Sequence, residues 1–151
     1  MYADNTYKLV AVLNSKYETS QLMNALSHMT AGVVSQQDRQ SPIEFLDYRD
    51  ADGSIHPRIC RWSFVILKAK NSNQIRKLRR AIHDAELTYS DFVHTMFGAS
   101  AQDQIERTEA LPESELDYLG LCAFGPAEIL NPLTKRFSLF KGSLTKAVRG
   151  A

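Results

Sequence analysis

Two apolar runs lying far apart constrain this 151-residue chain more than anything else in it. Tyr7-Lys8-Leu9-Val10-Ala11-Val12-Leu13 and Tyr118-Leu119-Gly120-Leu121-Cys122-Ala123-Phe124 are nearly continuous stretches of strand-forming residues. A strand with one wet face alternates apolar and polar side chains, so a run without alternation is covered on both faces. Arg61 to Ala69, with Trp62, Phe64, Val65, Ile66 and Leu67, reads the same way. A chain with such strands must supply helices to both sides of a sheet.

The segments between the runs provide them. Leu22, Leu26, Met29 and Val33 recur at helical spacing, with Ser20 as the expected N-cap and Gly32 weakening the end. A second helix follows Asn71 or Ser72, burying Ile75, Leu78, Ile82 and Ala85 and turning Arg76, Lys77, Arg79 and Arg80 outward. Glu44 to Arg58 reads as two extended pieces around Asp50-Ala51-Asp52-Gly53, a turn sequence. It lacks the later ligands and the closing glutamate of a calcium loop. Thr88 to Val93 is a further strand, and Ser100 to Ala110 a polar helix. Gly125-Pro126-Ala127-Glu128 opens a short helix that Asn131-Pro132 is expected to stop, before a last extended piece through Phe137, Leu139 and Phe140. Strands alternating with helices predict one α/β domain over 1–151. Its expected core is a mixed, mostly parallel central sheet of about four to five strands with helices on both faces.

Composition narrows the setting. With 44% apolar and 23% charged residues the chain is ordinary for a globular protein. No run approaches the ~20 apolar residues that span a bilayer, and the first residues lack a secretion signal. The expectation is a cytoplasmic protein. Its two cysteines, Cys60 and Cys122, read as buried free thiols. The net charge of +1 hides sign blocks. Arg58 to Arg80 holds eight bases and no acid, Asp84 to Glu128 ten acids and one base, and Lys135 to Arg149 five bases and no acid. Such blocks either neutralise one another across the fold or mark a binding face, with Arg76, Lys77, Arg79 and Arg80 as an RNA or phosphate contact.

For chemistry, Ser20, Asn24 and His28 lie four residues apart and so share one helix face. His28 has the side chain of a general base near neutral pH, and Asn24 that of an amide donor. The alternative for this trio is a cap plus a histidine bonded to a neighbouring loop. His94 closes a strand, where open α/β sheets bind ligands, and is a second candidate beside His28. Cys60, Cys122, His56 and His83 show no tight ligand spacing, so no metal is expected. No phosphate loop, nucleophile elbow or dinucleotide fingerprint is present, so no cofactor is expected either.

The closing stretch Tyr118 to Leu130 resembles the end of type-two peptidyl-tRNA hydrolases, where a strand runs into a Gly-Pro helix start. Ser27-His28 resembles their Ser-His pair. The closer resemblance is to an uncharacterised bacterial family with that fold, known only as a domain of unknown function. It is carried by Asn24-Ala25, His28-Met29, Tyr48-Arg49-Asp50-Ala51-Asp52-Gly53, Tyr89-Ser90 and Met96-Phe97, and it covers about Tyr7 to Lys141. The resemblance implies a peptidyl-tRNA hydrolase-like fold, a homodimer, and a cleft lined by Ser20, Asn24, Ser27 and His28. The departures are chemical. Gln21 stands where the hydrolases carry an essential lysine, Ala25 where they have glutamine, and the Val93-His94 corner where they have aspartate. About ten extra residues around Ser100 to Ala110 interrupt the following loop. Without the cation and the carboxylate, peptidyl-tRNA hydrolysis loses its chemical basis. Three functions stay open: a module binding a small ligand or partner, a divergent ester or amide hydrolase using His28, and an RNA binder using the basic helix.

Overall fold

The computed structural model describes residues 2–142. Among them the elements run β1 (Tyr7–Asn14), α1 (Thr19–Ser35), β2 (Phe45–Arg49), β3 (Ile55–Cys60), β4 (Ser63–Ala69), α2 (Ser72–Asp84), β5 (Thr88–Val93), α3 (Ala101–Glu109), β6 (Tyr118–Pro126), α4 (Ala127–Thr134) and β7 (Ser138–Leu139). The main sheet has the order β5-β6-β1-β4-β7, and β2 and β3 form a separate hairpin.

The apolar runs do what their lack of alternation requires. In β1, Val10 and Val12 join a cluster with Ile75, Leu78 and Ile82 of α2 and Leu130 of α4. The intervening Leu9, Ala11 and Leu13 pack with Leu22, Ala25, Met29 and Val33 of α1 on the other face. The alternation of Cβ atoms along a strand thus feeds two cores, and helices do cover both faces.

Strand direction departs from expectation. Only β1 and β4 pair in parallel; β1 with β6, β5 with β6 and β4 with β7 are antiparallel. The sheet is mostly antiparallel rather than mostly parallel. The cause is β6, which returns after α3 and inserts between β1 and β5, so two strands of like direction meet only through an opposed one. An unbroken apolar run reports burial on both faces and carries no information about direction.

Several local expectations also shift by physical detail. Glu18, not Ser20, is the N-cap of α1, and it makes no side-chain capping bond. Ala25 takes the buried place in the stripe expected for Leu26, which is only half-buried. At the end of α2, Ala85 is an exposed C-cap, while at its start Asn71 accepts the Gln74 N–H at 3.0 Å as expected. α4 does not stop at Pro132 but runs on to Thr134 with the proline inside it. Pro132 is exposed, so its ring faces water, and Leu130 and Thr134 anchor the two-turn helix by burial. In the hairpin turn, the Asp50 carboxylate accepts the N–H groups of Asp52 and Ser54, and Gly53 takes φ 88°. This is a turn, as the sequence indicated. The last two bases of the third charge block, Lys146 and Arg149, lie outside the described residues.

Both cysteines are free thiols; Cys122 is buried and Cys60 half-buried. Burial pushes the Cys122 thiol up to about 12 from its ordinary 9.0. Burial, then a hydrogen bond to a carboxylate, likewise raises Tyr17 and Tyr118. For a raised acid, the stabilising contribution is fully present below the unfolded pKa and is lost as pH climbs towards the folded one. Stability should therefore fall from about pH 9 upward, by up to about 1.4 kcal/mol per pH unit for the buried Cys122. The two tyrosines contribute less, because solvent partly screens their carboxylate partners. Denaturant midpoints at pH 8 and pH 10.5 measure the fall, and Cys122→Ala should make it shallower. An equal slope in that variant would refute the assignment to Cys122.

Candidate functional site

β1, β4 and β5 all point the same way, so their carboxyl ends gather at one end of the sheet, where open α/β sheets bind ligands. Asn14, the last residue of β1, is 1% exposed. Its amide donates to the Tyr118 carbonyl at 2.9 Å and its carbonyl accepts the Lys16 N–H at 3.0 Å. One buried side chain thus fixes the start of β6 and the bend that leads into α1. Just past that bend the Tyr17 hydroxyl donates to the Asp117 carboxylate.

Asp117 in turn holds His94. Its N–H donates to His94 Nδ1 at 3.0 Å, and the His94 N–H donates to the Asp117 carbonyl at 2.9 Å. An Nδ1 that accepts a hydrogen bond leaves Nε2 as the ring nitrogen turned to other partners. Tyr17, His94 and Asp117 therefore form one small polar assembly. Asp117 was missed in the sequence because it stands 23 positions beyond His94, before the β6 run; no local spacing announces it.

Beside Tyr17 opens a crevice of about 530 Å³ between the first turn of α1, β4 and the β7 segment. Among the described residues Ser15, Thr19, Ser138, Lys68 and Lys141 supply its polar walls, with Glu18 as the one acid. Leu139 and Phe140 form the apolar side. Another cavity, of about 370 Å³, lies at the opposite end of the sheet beside Tyr7, Thr88 and Phe124. Two of its three glutamine amides are engaged internally: Gln36 donates to the Tyr89 carbonyl and Gln37 to the Val33 carbonyl.

The expected trio on α1 is placed elsewhere. Ser20, Asn24, Ser27 and His28 are all exposed. The Ser27 hydroxyl donates to the Met23 carbonyl one turn back, at 2.8 Å. The His28 ring packs on Phe92 of β5, with centroids 6.1 Å apart. β5 and β4 lie on opposite sides of β1 in the sheet order, so His28 flanks α1 away from the crevice. His28 and His94 thus make separate contacts, one with Phe92 and one with Asp117.

The basic helix face divides. Arg76 bonds Glu113 at 3.1 Å and the Leu116 carbonyl at 2.5 Å, with its guanidinium over the Tyr118 ring. Arg79 bonds Asp91 at 2.7 Å and lies over the Tyr89 ring. Lys77 and Arg80 are exposed. Half of this face is therefore neutralised by the acidic block that follows it in sequence. Among the described residues, no three His, Cys, Asp or Glu side chains converge as metal ligands. Nor is any helix there long and apolar enough to cross a membrane.

With this geometry in view, comparison with known proteins is informative about family and fold. A family model described as "Protein of unknown function (DUF2000)" matches residues 7–141. A solved structure of a protein of unknown function from Agrobacterium, Atu0240, superposes with a TM-score of 0.75 at 18% identity. The match covers 89% of this chain and 98% of that one. At that identity the likeness speaks for the fold alone. No curated protein matches the sequence.

Proposed function

The chain belongs to the DUF2000 family of proteins of unknown function, and from that premise we propose that it is a ligand-binding module rather than a hydrolase. The ligand we assign is a small molecule bearing an anionic group, seated in the crevice at the carboxyl ends of β1 and β4. The observation that carries this reading is the crevice itself. Its volume of about 530 Å³ falls within the range of small-molecule sites, and two lysines against one glutamate among its described walls favour an anion. In a peptidyl-tRNA hydrolase-like reading of the fold, the helix-start lysine is replaced by Gln21. Lys68 and Lys141 bring cations back to that neighbourhood from β4 and from just beyond β7. Tyr17, held by Asp117, stands at the wall as a fixed aromatic surface. Both cysteines are free thiols, which supports a reducing, cytoplasmic setting.

The competing reading keeps His28 as a general base, with Ser20, Asn24 and Ser27 around it and His94 as a second imidazole. Its support is the solvent-accessible ring on Phe92. Against it, the Ser27 hydroxyl is already spent on the Met23 carbonyl. An RNA-binding reading through Arg76, Lys77, Arg79 and Arg80 has less support, because Arg76 and Arg79 already hold carboxylates. The two remaining charges would give a salt slope of only about two counterions.

One set of thermal melts separates the first two readings. Inorganic phosphate in millimolar excess should raise Tm relative to matched chloride, since a ligand at 100 times its Kd adds about 2.7 kcal/mol. Lys68→Ala with Lys141→Ala should abolish that rise, whereas His28→Ala should keep it. A rise that survives the double lysine variant overturns the crevice. Turnover of p-nitrophenyl acetate that disappears in His28→Ala would put the hydrolase in its place.

A further inference from the structure

The β2–β3 hairpin projects from the body as its own two-stranded sheet. Such a sheet is marginal in water without a third strand or a packed face. At its base Cys60 packs against the α1-side core. Further out, Tyr48, Ile55 and Ile59 are 49%, 54% and 57% exposed. Three large apolar side chains on one small unpartnered sheet are more than scattered surface residues.

The two outer edges of the hairpin differ. On β3, Pro57 has no N–H to offer and Arg58 takes a left-handed φ of 53°. The ladder shifts register there, between Leu46 and Tyr48 on the facing strand. Proline and a bulge both blunt an edge against pairing. β2 has neither. Arg61 N–H donates to the Glu44 carbonyl and Asp50 N–H to the Ser54 carbonyl. By the alternation of antiparallel ladders, Phe45, Asp47 and Arg49 therefore turn their main-chain groups outward.

We propose that β2 is a self-pairing edge, and that two copies of this chain join there antiparallel across a twofold axis at Tyr48 to make a four-stranded sheet. Charge complementarity selects both the partner and the register. Centred on Tyr48, the pairing sets Asp47 opposite Arg49 of the second copy, twice by symmetry. Asp47 Oδ1 already accepts the Arg58 N–H and Arg49 Nη1 donates to the Gly53 carbonyl, so the pair uses the second Asp47 oxygen and the other Arg49 N–H groups. A twofold at Asp47 would face carboxylate with carboxylate, and one at Arg49 guanidinium with guanidinium; like charges directly opposite repel. The chosen register also puts Tyr48 against its own symmetry mate in a non-hydrogen-bonded position, where side chains lie closest. Leu46 shares that face with Tyr48 and, across the strand pair, with Ile59. The inference rests on the hairpin and is independent of the ligand crevice.

Sedimentation equilibrium of the full chain should show a dimer. Arg49→Asp should raise its dissociation constant by about tenfold or more, since two attractive pairs become repulsive. Adding Asp47→Lys to that variant should restore it. Tyr48→Cys provides a readout that does not depend on affinity. Paired Cα atoms about 4.5 Å apart at a non-hydrogen-bonded position meet the reach of a disulfide. Mild oxidation should therefore give a covalent dimer from Tyr48→Cys, and not from the wild-type chain, whose Cys60 serves as the background control. A monomeric wild type, with no covalent dimer formed by Tyr48→Cys on oxidation, overturns the proposal. So does a dimer indifferent to Arg49→Asp, which would have to be built on another surface.

Discussion

Gly120→Val should cost about 3 kcal/mol or more, the largest single loss expected on the sheet. A Cβ at Gly120 would stand 2.9 Å from Leu13 Cδ2, 2.9 Å from Met29 Cε and 3.1 Å from the Val12 carbonyl oxygen. The methionine end is flexible and can move. The carbonyl belongs to β1, which pairs directly with β6, and it cannot yield without opening the ladder. β6 sits between β1 and β5, so strain at Gly120 is felt on both sides and by α1 above. Guanidinium unfolding of the variant measures the loss. A value below about 1 kcal/mol would mean that α1 and β1 stand further from β6 than described.

The second large effect is expected at Asn14. Asn14→Leu conserves size but removes the amide, leaving the Tyr118 carbonyl and the Lys16 N–H without the partners they have now. Buried polar groups left unpaired cost about 1–3 kcal/mol each, so a loss of about 2 kcal/mol or more is expected. Denaturation measures the total, and amide exchange localises it: the Lys16 N–H should exchange faster while amides in the middle of β1 keep their relative protection. The phosphate-dependent rise in Tm should also weaken, because the bend at Asn14 sets the wall of the crevice. Unchanged exchange at Lys16 would contradict this role.

Strand positions could be read from the sequence because Tyr7 to Leu13, Arg61 to Ala69 and Tyr118 to Phe124 are nearly continuous apolar runs, and burial on both faces leaves such runs unbroken. Their directions could not, since direction depends on where β6 is inserted, a matter of tertiary pairing. Helix positions followed from the Leu22-Met29-Val33 and Ile75-Leu78-Ile82 stripes. Ends were harder: Glu18 caps α1 only in the sense of its backbone angles, and Pro132 is tolerated because it is exposed. For the site, spacing along α1 brought out Ser20, Asn24 and His28, since residues four apart share a face; it could not say that this face looks to solvent. The assembly of Tyr17, His94 and Asp117, and the crevice bordered by Lys68 and Lys141, join residues from distant parts of the chain. Long-range meetings of that kind have no local signature. The neutralisation of Arg76 and Arg79 by Glu113 and Asp91 was visible as complementary charge blocks, though not as particular pairs.

The insertion of β6 between β1 and β5 also bears on the order in which the molecule can be made. Translation delivers β1, α1, the hairpin, β4, α2 and β5 well before residue 118 leaves the ribosome. Until then β1 has only β4 beside it, and β5 has no neighbour in the sheet at all. The edge of β1 that β6 will occupy waits exposed, along with the apolar side chains of both faces. Completion of the sheet is therefore a late event, governed by pairings more than 100 positions apart, such as Leu13 with Gly120. Chains that must close loops of that length fold slowly, and a nascent chain halted before β6 would present an open β1 edge to the chaperones and to its own copies.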